Sequence, residues 1–216
     1  FEFILKKIKP GINESEIAWE IEAFIRARSA QLAFSPIVAF GKNTSQPHYK
    51  TSDVELRTSD IILVDFGARV NGYCSDMTRM VFAGRPKNEW MKAYETVLTA
   101  QQTALKYLQR SHPASQGETF QERSGTIADR ITRKVIEKAG FPTYPHSLGH
   151  GVGLDIHETP RLTVKKDQIL KPNMVVTVEP GIYLEGQYGV RIEDLVLLKK
   201  DGIEILSKSN KEMTIL

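Results

Sequence analysis

Four acidic residues sit inside otherwise apolar, strand-like stretches: Asp65 in Ile61 to Phe66, Asp76 in Tyr73 to Phe82, Glu179 in Met174 to Tyr183 and Glu193 in Val190 to Leu198. Burying an unpaired carboxylate costs several kcal/mol, so a strand that does it needs a compensating cation. Asn71-Gly72 is a two-residue hairpin signal that sets Asp76 opposite Gly67, with Asp65 two residues away. The two aspartates then project from one face as diagonal neighbours, about 7 Å apart at the backbone. A second hairpin turning near Gly186 sets Glu179 opposite Glu193, and the same parity puts Tyr183 and Arg191 on that face. For any one acid a surface position or a salt bridge to Arg79, Arg161 or Arg191 is the simpler reading. Four acids on two matched hairpins favour metal ions instead. His150, in the run Gly149-His150-Gly151-Val152-Gly153, is the candidate imidazole. One nitrogen in an oxygen-rich set suits Mn²⁺, Fe²⁺, Co²⁺ or Zn²⁺ better than Ca²⁺. Two such ions sharing a hydroxide and polarising a carbonyl is an arrangement of hydrolases.

The remaining polar residues carry weaker signals. His48, His146 and His157 lie near proline or acidic residues in loop-like sequence, where a lone histidine is more often solvent-facing, and His112 reads as a loop residue. Cys74 shares the parity of Asp76 and reads as a packed thiol. Trp19, Trp90 and the helix aromatics read as core.

The elements that must present these residues follow from periodicity and punctuation. Phe1, Ile4, Leu5 and Ile8 have helical spacing up to Lys9-Pro10-Gly11; Asn13 and Glu16 form a capping box for a helix to about Ala30, with Ile17, Ile21, Phe24 and Ile25 inward. A long helix is expected from near Pro86 to about Gln109. A further helix is expected to open with Thr119 and Glu122, to turn Ile127, Ile131, Val135 and Ile136 inward, and to stop at Gly140. Leu56 stands nine residues before Val64 to Gly67 as Leu170 stands nine before Val178 to Gly181, an internal echo that favours a duplicated α+β unit related by a pseudo-twofold.

Composition sets the class. The 216 residues are 41% hydrophobic and 25% charged, ordinary for a globular chain. The 29 basic and 26 acidic residues leave a net charge of +3, too small to argue for nucleic acid or an anionic membrane. Apolar runs fall far short of a membrane span, and the single cysteine suits a reduced, cytoplasmic setting. Helical spacing that begins at Phe1 suggests a piece of a longer polypeptide.

Together the stretches Val64 to Ala68, Tyr73 to Arg79, His146 to Glu158, Thr177 to Tyr183 and Gly189 to Val196, with Lys9-Pro10-Gly11, make the chain similar to the dinuclear metallopeptidases of the pita-bread fold. That family includes methionine aminopeptidase, aminopeptidase P and prolidase. Val178 to Tyr183, Arg191 to Val196 and the spacing of His146 and His150 resemble its Xaa-Pro branch. The resemblance implies an α+β pita-bread fold in which a central curved antiparallel sheet is backed by helices, with residues 1–216 forming a catalytic domain whose usual N-terminal companion is missing. It implies an exopeptidase that hydrolyses the Xaa-Pro bond of dipeptides or peptide N-termini through a metal-bridging hydroxide; a methionine aminopeptidase and a non-catalytic binding module are the rival readings. By resemblance Asp65 chelates one metal, His150 and Glu179 hold the other, and Asp76 and Glu193 bridge both, Mn²⁺ or Co²⁺ being expected. Glu179 would accept the proton, His48 and His157 would steady the substrate carbonyl and oxyanion, and His146, Tyr183 and Arg191 would line the proline pocket or support the bridging carboxylate. The partner is then a peptide with proline in second position, and a homodimer stays open, as does the choice between dipeptidase and aminopeptidase.

Overall fold

The computed structural model describes residues 1–110 and 123–216. The opening apolar residues make one turn, α1 (Glu2–Leu5), and Asn13 opens α2 (Glu14–Arg26), where Glu16 Oε2 accepts from the Asn13 N–H at 2.8 Å. Ile17, Ile21 and Ile25 are buried, as their spacing requires. The helix stops at Arg26, short of Ala30, because Ser29 takes a positive φ of 57° that no helix can include. Trp19, expected in the core, is 67% exposed: two residues beyond Ile17, it falls on the opposite side of α2.

The first half continues through β1 (Gln31–Leu32), β2 (Ile37–Phe40), a 3₁₀ turn (Gly41–Ser45), β3 (Ile61–Phe66), β4 (Ala68–Val70), β5 (Tyr73–Cys74) and β6 (Met77–Phe82). Asn71 and Gly72 both have positive φ, 50° and 88°, as a type I′ turn demands. The register that turn dictates runs on into the next ladder, where Asp65 pairs with Thr78. The single strand expected over Tyr73 to Phe82 is two, interrupted at Ser75 and Asp76. Here the backbones close up at Gly67, where a Cβ would overlap the Ser75 carbonyl.

Helix α3 (Asn88–Gln109) buries Trp90, Tyr94, Val97, Leu105 and Leu108. The Thr119 and Glu122 capping box and His112 lie outside the described residues. After β7 (Arg123–Ser124), α4 (Gly125–Lys138) begins at a different cap, Ser124, whose Oγ accepts from the Ile127 N–H at 3.1 Å. The buried face of α4 is also rotated from the expected one. Ala128, Asp129, Thr132 and Ile136 point inward and Ile127 is 43% exposed, because the buried Asp129 is held by Arg133 and Tyr144.

The second half follows as β8 (Gly149–Gly151), β9 (Glu158–Leu162), β10 (Ile169–Leu170), β11 (Val175–Val178), β12 (Gly181–Leu184), β13 (Tyr188–Arg191), β14 (Asp194–Lys199), β15 (Gly202–Ile205) and β16 (Thr214–Ile215). The strands expected over Met174 to Tyr183 and Val190 to Leu198 are each divided, at Glu179-Pro180 and at Ile192-Glu193. Pro180 has no N–H to donate to a ladder. The flanking pairs keep one register, Val178 with Asp194 and Gly181 with Arg191, so Glu179 and Glu193 stand opposite as expected.

The two halves repeat one plan. Helix α2 precedes the antiparallel neighbours β2, β3 and β6, and helix α4 precedes β8, β11 and β14. The Glu193 N–H donates to the Thr78 carbonyl at 3.2 Å, joining the halves where their acids meet. This is the α+β pita-bread architecture with its pseudo-twofold.

Candidate metal centre and cleft

Asp76, Glu179 and Glu193 sit at the breaks in the ladders and Asp65 sits within β3. Asp65, Asp76 and Glu193 are buried and Glu179 is half-buried, all at the floor of a cleft of about 490 Å³. Single ligand atoms of Asp76, His150 and Glu193 lie within 4.8 Å of one another, and His150 Nε2 is 3.4 Å from Glu179 Oε1 and 3.6 Å from Asp76 Oδ2. The other His150 nitrogen, Nδ1, is 3.0 Å from the Gly151 carbonyl, so Nε2 is the one turned to the acids. Asp65 is on the other flank: Oδ2 takes the Arg191 guanidinium at 2.6 Å, while Oδ1 is buried with no hydrogen-bond partner among the described residues. The salt bridge weighed for each acid therefore exists for Asp65, and it leaves one of that residue's oxygens unused.

The electrostatics are those of negative charge forced together. Burial, then repulsion from Asp65 and Glu179, holds the Asp76 carboxyl well above the usual range, and burial with repulsion from Asp76 and Glu179 does the same to Glu193. Burial pushes Glu179 up to about 7 and raises Asp65 against the pull of Arg191. Burial lowers His150 to about 4, so its imidazole is neutral at pH 7 and free to donate a lone pair. A divalent cation fits this donor set: clustered carboxylates that resist ionising together, an unpartnered buried oxygen and a neutral imidazole.

A hydrogen-bonded belt backs the acids. Arg191 donates to Tyr183 Oη at 2.9 Å, to Thr78 Oγ1 at 2.9 Å and to the Pro47 carbonyl at 3.1 Å; Thr78 donates in turn to Glu193 Oε2 at 2.7 Å. Having accepted from Arg191, the Tyr183 hydroxyl turns its own proton to His146 Nε2 at 3.0 Å, and Nδ1 faces the Ser147 carbonyl at 2.8 Å. That neutral form agrees with a His146 pKa lowered to about 3 by burial and by Arg191. Thr177 Oγ1 accepts from the His150 N–H at 3.0 Å and donates to Glu179 at 3.1 Å. Neither threonine was singled out from the sequence, although each lies two residues from an acid on the same strand face, Thr78 from Asp76 and Thr177 from Glu179.

His48 and His157 are exposed and line the cleft. A regular strand would point His150 and His157 apart. The chain instead leaves β8 at a bulge after His150 and returns as β9, which brings the two rings to 4.5 Å between centroids, edge to face. His146 also lines the cleft, with Tyr183 behind it, so every expected site residue is at this one place. Arg133 and Lys165 are cleft residues that sequence reasoning left out, and Arg161, weighed there only as a salt-bridge partner for the acids, lines the cleft too, four residues after His157 across β9. Cys74 is a packed, free thiol, as expected.

The profile of metallopeptidase family M24 matches residues 1–200. The chain belongs to metallopeptidase family M24. A Xaa-Pro dipeptidase of Pyrococcus furiosus is 38% identical over 211 residues, covering 97% of this chain and 58% of that protein. Among solved structures, the X-Pro aminopeptidase from Thermotoga maritima superposes with a TM-score of 0.91 at 38% identity, covering 100% of this M24 chain and 59% of the other. The Xaa-Pro dipeptidase from Bacillus anthracis gives 0.91 at 40% identity, with 100% and 58% covered. The M24 chain thus spans just under three fifths of the length of these relatives. No helix among the described residues is long and apolar enough to cross a membrane.

Proposed function

We propose that residues 1–216 are the catalytic domain of a metal-dependent exopeptidase that hydrolyses Xaa-Pro bonds. The observation that carries this is the convergence of four carboxylates and one neutral imidazole on the cleft floor, with Asp65 Oδ1 buried and unpartnered. Relatives named for Xaa-Pro dipeptidase and X-Pro aminopeptidase activity support the choice of bond over a methionine aminopeptidase. A complete set of five donors speaks against a non-catalytic module.

In this reading Asp65, Asp76, His150, Glu179 and Glu193 would hold two divalent ions, Mn²⁺ or Co²⁺. Bound there, the ions supply Lewis acidity, polarising the scissile carbonyl and acidifying a water. The protein's own groups do the rest. Glu179 Oε1 accepts from Thr177, which leaves Oε2 as the proton acceptor, and a carboxyl pushed up to about 7 by burial is poised to take a proton and return it near neutrality. His157 and His48, exposed at the cleft wall, donate N–H groups to the carbonyl oxygen as negative charge develops on it. The belt His146–Tyr183–Arg191 lines the proline side and holds Asp65 in place. The proposed setting is the cytoplasm, where the buried free thiol of Cys74 stays reduced.

The test is turnover by the Mn²⁺-loaded chain of a Xaa-Pro dipeptide, a longer Xaa-Pro peptide and a Met-Ala peptide. Hydrolysis of either Xaa-Pro substrate is expected; turnover of the Met-Ala peptide alone would sink the proposal.

A further inference from the structure

The ladders of the second half break at one height, between the pairs Val178–Asp194 and Gly181–Arg191. Glu179 and Glu193 lie in this gap, which a single long rung crosses, from the Ile192 N–H to the Pro180 carbonyl at 3.5 Å, while the N–H groups of the two acids turn away to the Leu148 and Thr78 carbonyls. The residues just before each acid, Val178 and Ile192, turn their carbonyls toward α3. There a single side chain, Gln101, donates from Nε2 to both, at 3.2 and 3.3 Å. Gln101 is fully buried on a helix face otherwise made of Val97, Ala100, Ala104 and Leu105, where an aliphatic residue would be the ordinary choice.

The amide is also oriented. Lys211 Nζ, which has only donors, is 3.2 Å from Gln101 Oε1, so the oxygen faces the lysine and the NH₂ faces the two carbonyls. Lys211 pairs with Asp194 at 2.5 Å, and Asp194 takes Arg79 at 2.7 Å. Arg79 donates to the Thr78 and Glu193 carbonyls and to those of Ser209 and Asn210 in the C-terminal stretch that carries Lys211. None of these four side chains lines the cleft. Gln101, Asp194 and Arg79 form a buried polar layer behind the acids, with the half-buried Lys211 closing its outer edge.

We propose that Gln101 is the positioning residue for the Glu179–Glu193 pair, its oriented amide supplementing the one long rung across the gap and setting the spacing at which the two carboxylates meet metal. The inference rests on the metal reading above. Ligand distances in metal sites hold to about 0.2 Å, so releasing two backbone carbonyls beside the ligands acts on metal affinity as well as on the fold.

Gln101→Met keeps the side-chain length and removes both donors. Calorimetric titration of the metal-free chain with Mn²⁺ is expected to give two ions for the wild type and a tenfold to hundredfold weaker affinity for at least one of them in Gln101→Met, the usual effect of removing a group that orients a ligand. Leu105→Ala, one turn along α3 in the same core, is expected to lose at least as much stability in urea while keeping both affinities within about twofold. Lys211→Met alters a residue that is 23% exposed, covers the case in which Gln101→Met does not fold, and is expected to weaken binding several-fold by freeing the amide to turn over. Unchanged Mn²⁺ affinity in Gln101→Met, or in Lys211→Met where only that variant folds, overturns the inference. An equal loss of affinity in Leu105→Ala overturns it too, by making the effect one of general stability. A wild type that takes up no Mn²⁺ removes the metal reading and this inference with it.

Discussion

Replacing Asp76 by asparagine should stabilise the metal-free chain and at the same time abolish its response to metal. Unit charges 4.8 Å apart, the span within which ligand atoms of Asp76 and Glu193 lie, repel by about 3 kcal/mol at an effective dielectric near 20. Burial first, then repulsion from Asp65 and Glu179, raises the Asp76 carboxyl well above the usual range, and by keeping its proton it escapes part of this repulsion. A raised folded pKa contributes stability that is full below the unfolded value and is lost as pH rises through the folded one. The relief from Asp76→Asn is therefore largest at alkaline pH and vanishes near pH 4. Taking a third of the Coulomb figure, at pH 8 in EDTA the variant should gain about 1 kcal/mol, which is about 2–4 °C for a chain of this size. Free Mn²⁺ at a hundred times its dissociation constant adds about 2.7 kcal/mol per site to the wild type. The variant lacks one of the proposed ligand carboxylates and should gain little, so the two melting curves cross on adding metal. Differential scanning calorimetry at pH 8 with EDTA and with Mn²⁺ makes the comparison, with far-ultraviolet circular dichroism to show the helices intact and a Xaa-Pro peptide assay to show activity lost at every Mn²⁺ concentration. A variant that melts lower in EDTA, responds fully to Mn²⁺ or keeps its turnover would refute the reasoning.

Protons and metal compete for Glu179, pushed up to about 7, and for Asp76 and Glu193, both raised well above the usual range by burial, so the Mn²⁺-induced rise in melting temperature should grow steadily from pH 5 to pH 8; a flat profile would count against these acids as ligands. His157→Ala and His48→Ala, at exposed cleft positions, should each lower kcat by about 10²-fold while calorimetric Mn²⁺ affinity stays unchanged, and lost metal binding would move them from substrate to ligand. Arg161 and Lys165 place positive charge in the cleft suited to a free carboxylate, so Arg161→Met should raise KM for a Xaa-Pro dipeptide more than for a longer Xaa-Pro peptide. Equal effects on both substrates would exclude that role.

What could be read without coordinates was local and periodic. The Asn71-Gly72 turn and strict strand alternation decided that Asp65 and Asp76 share a face, and the turn near Gly186 did the same for Glu179 and Glu193, because side-chain parity survives the breaks in both hairpins. Which covering layer meets a helix face is not local. Trp19 and Ile127 carry apolar side chains at exposed positions, while Gln101 and Asp129 are polar and fully buried because strands and loops outside their own helices bring them partners. The pairing of Asp65 with Arg191, and the convergence of His150 with His157 through a bulge, likewise required the tertiary structure. Sequence alone determined the identities and facing of the acids. Only the packing of the two halves against each other and against α3 decided where those acids meet, which of their oxygens are left without partners, and what holds them apart, since these depend on contacts between segments about a hundred residues apart.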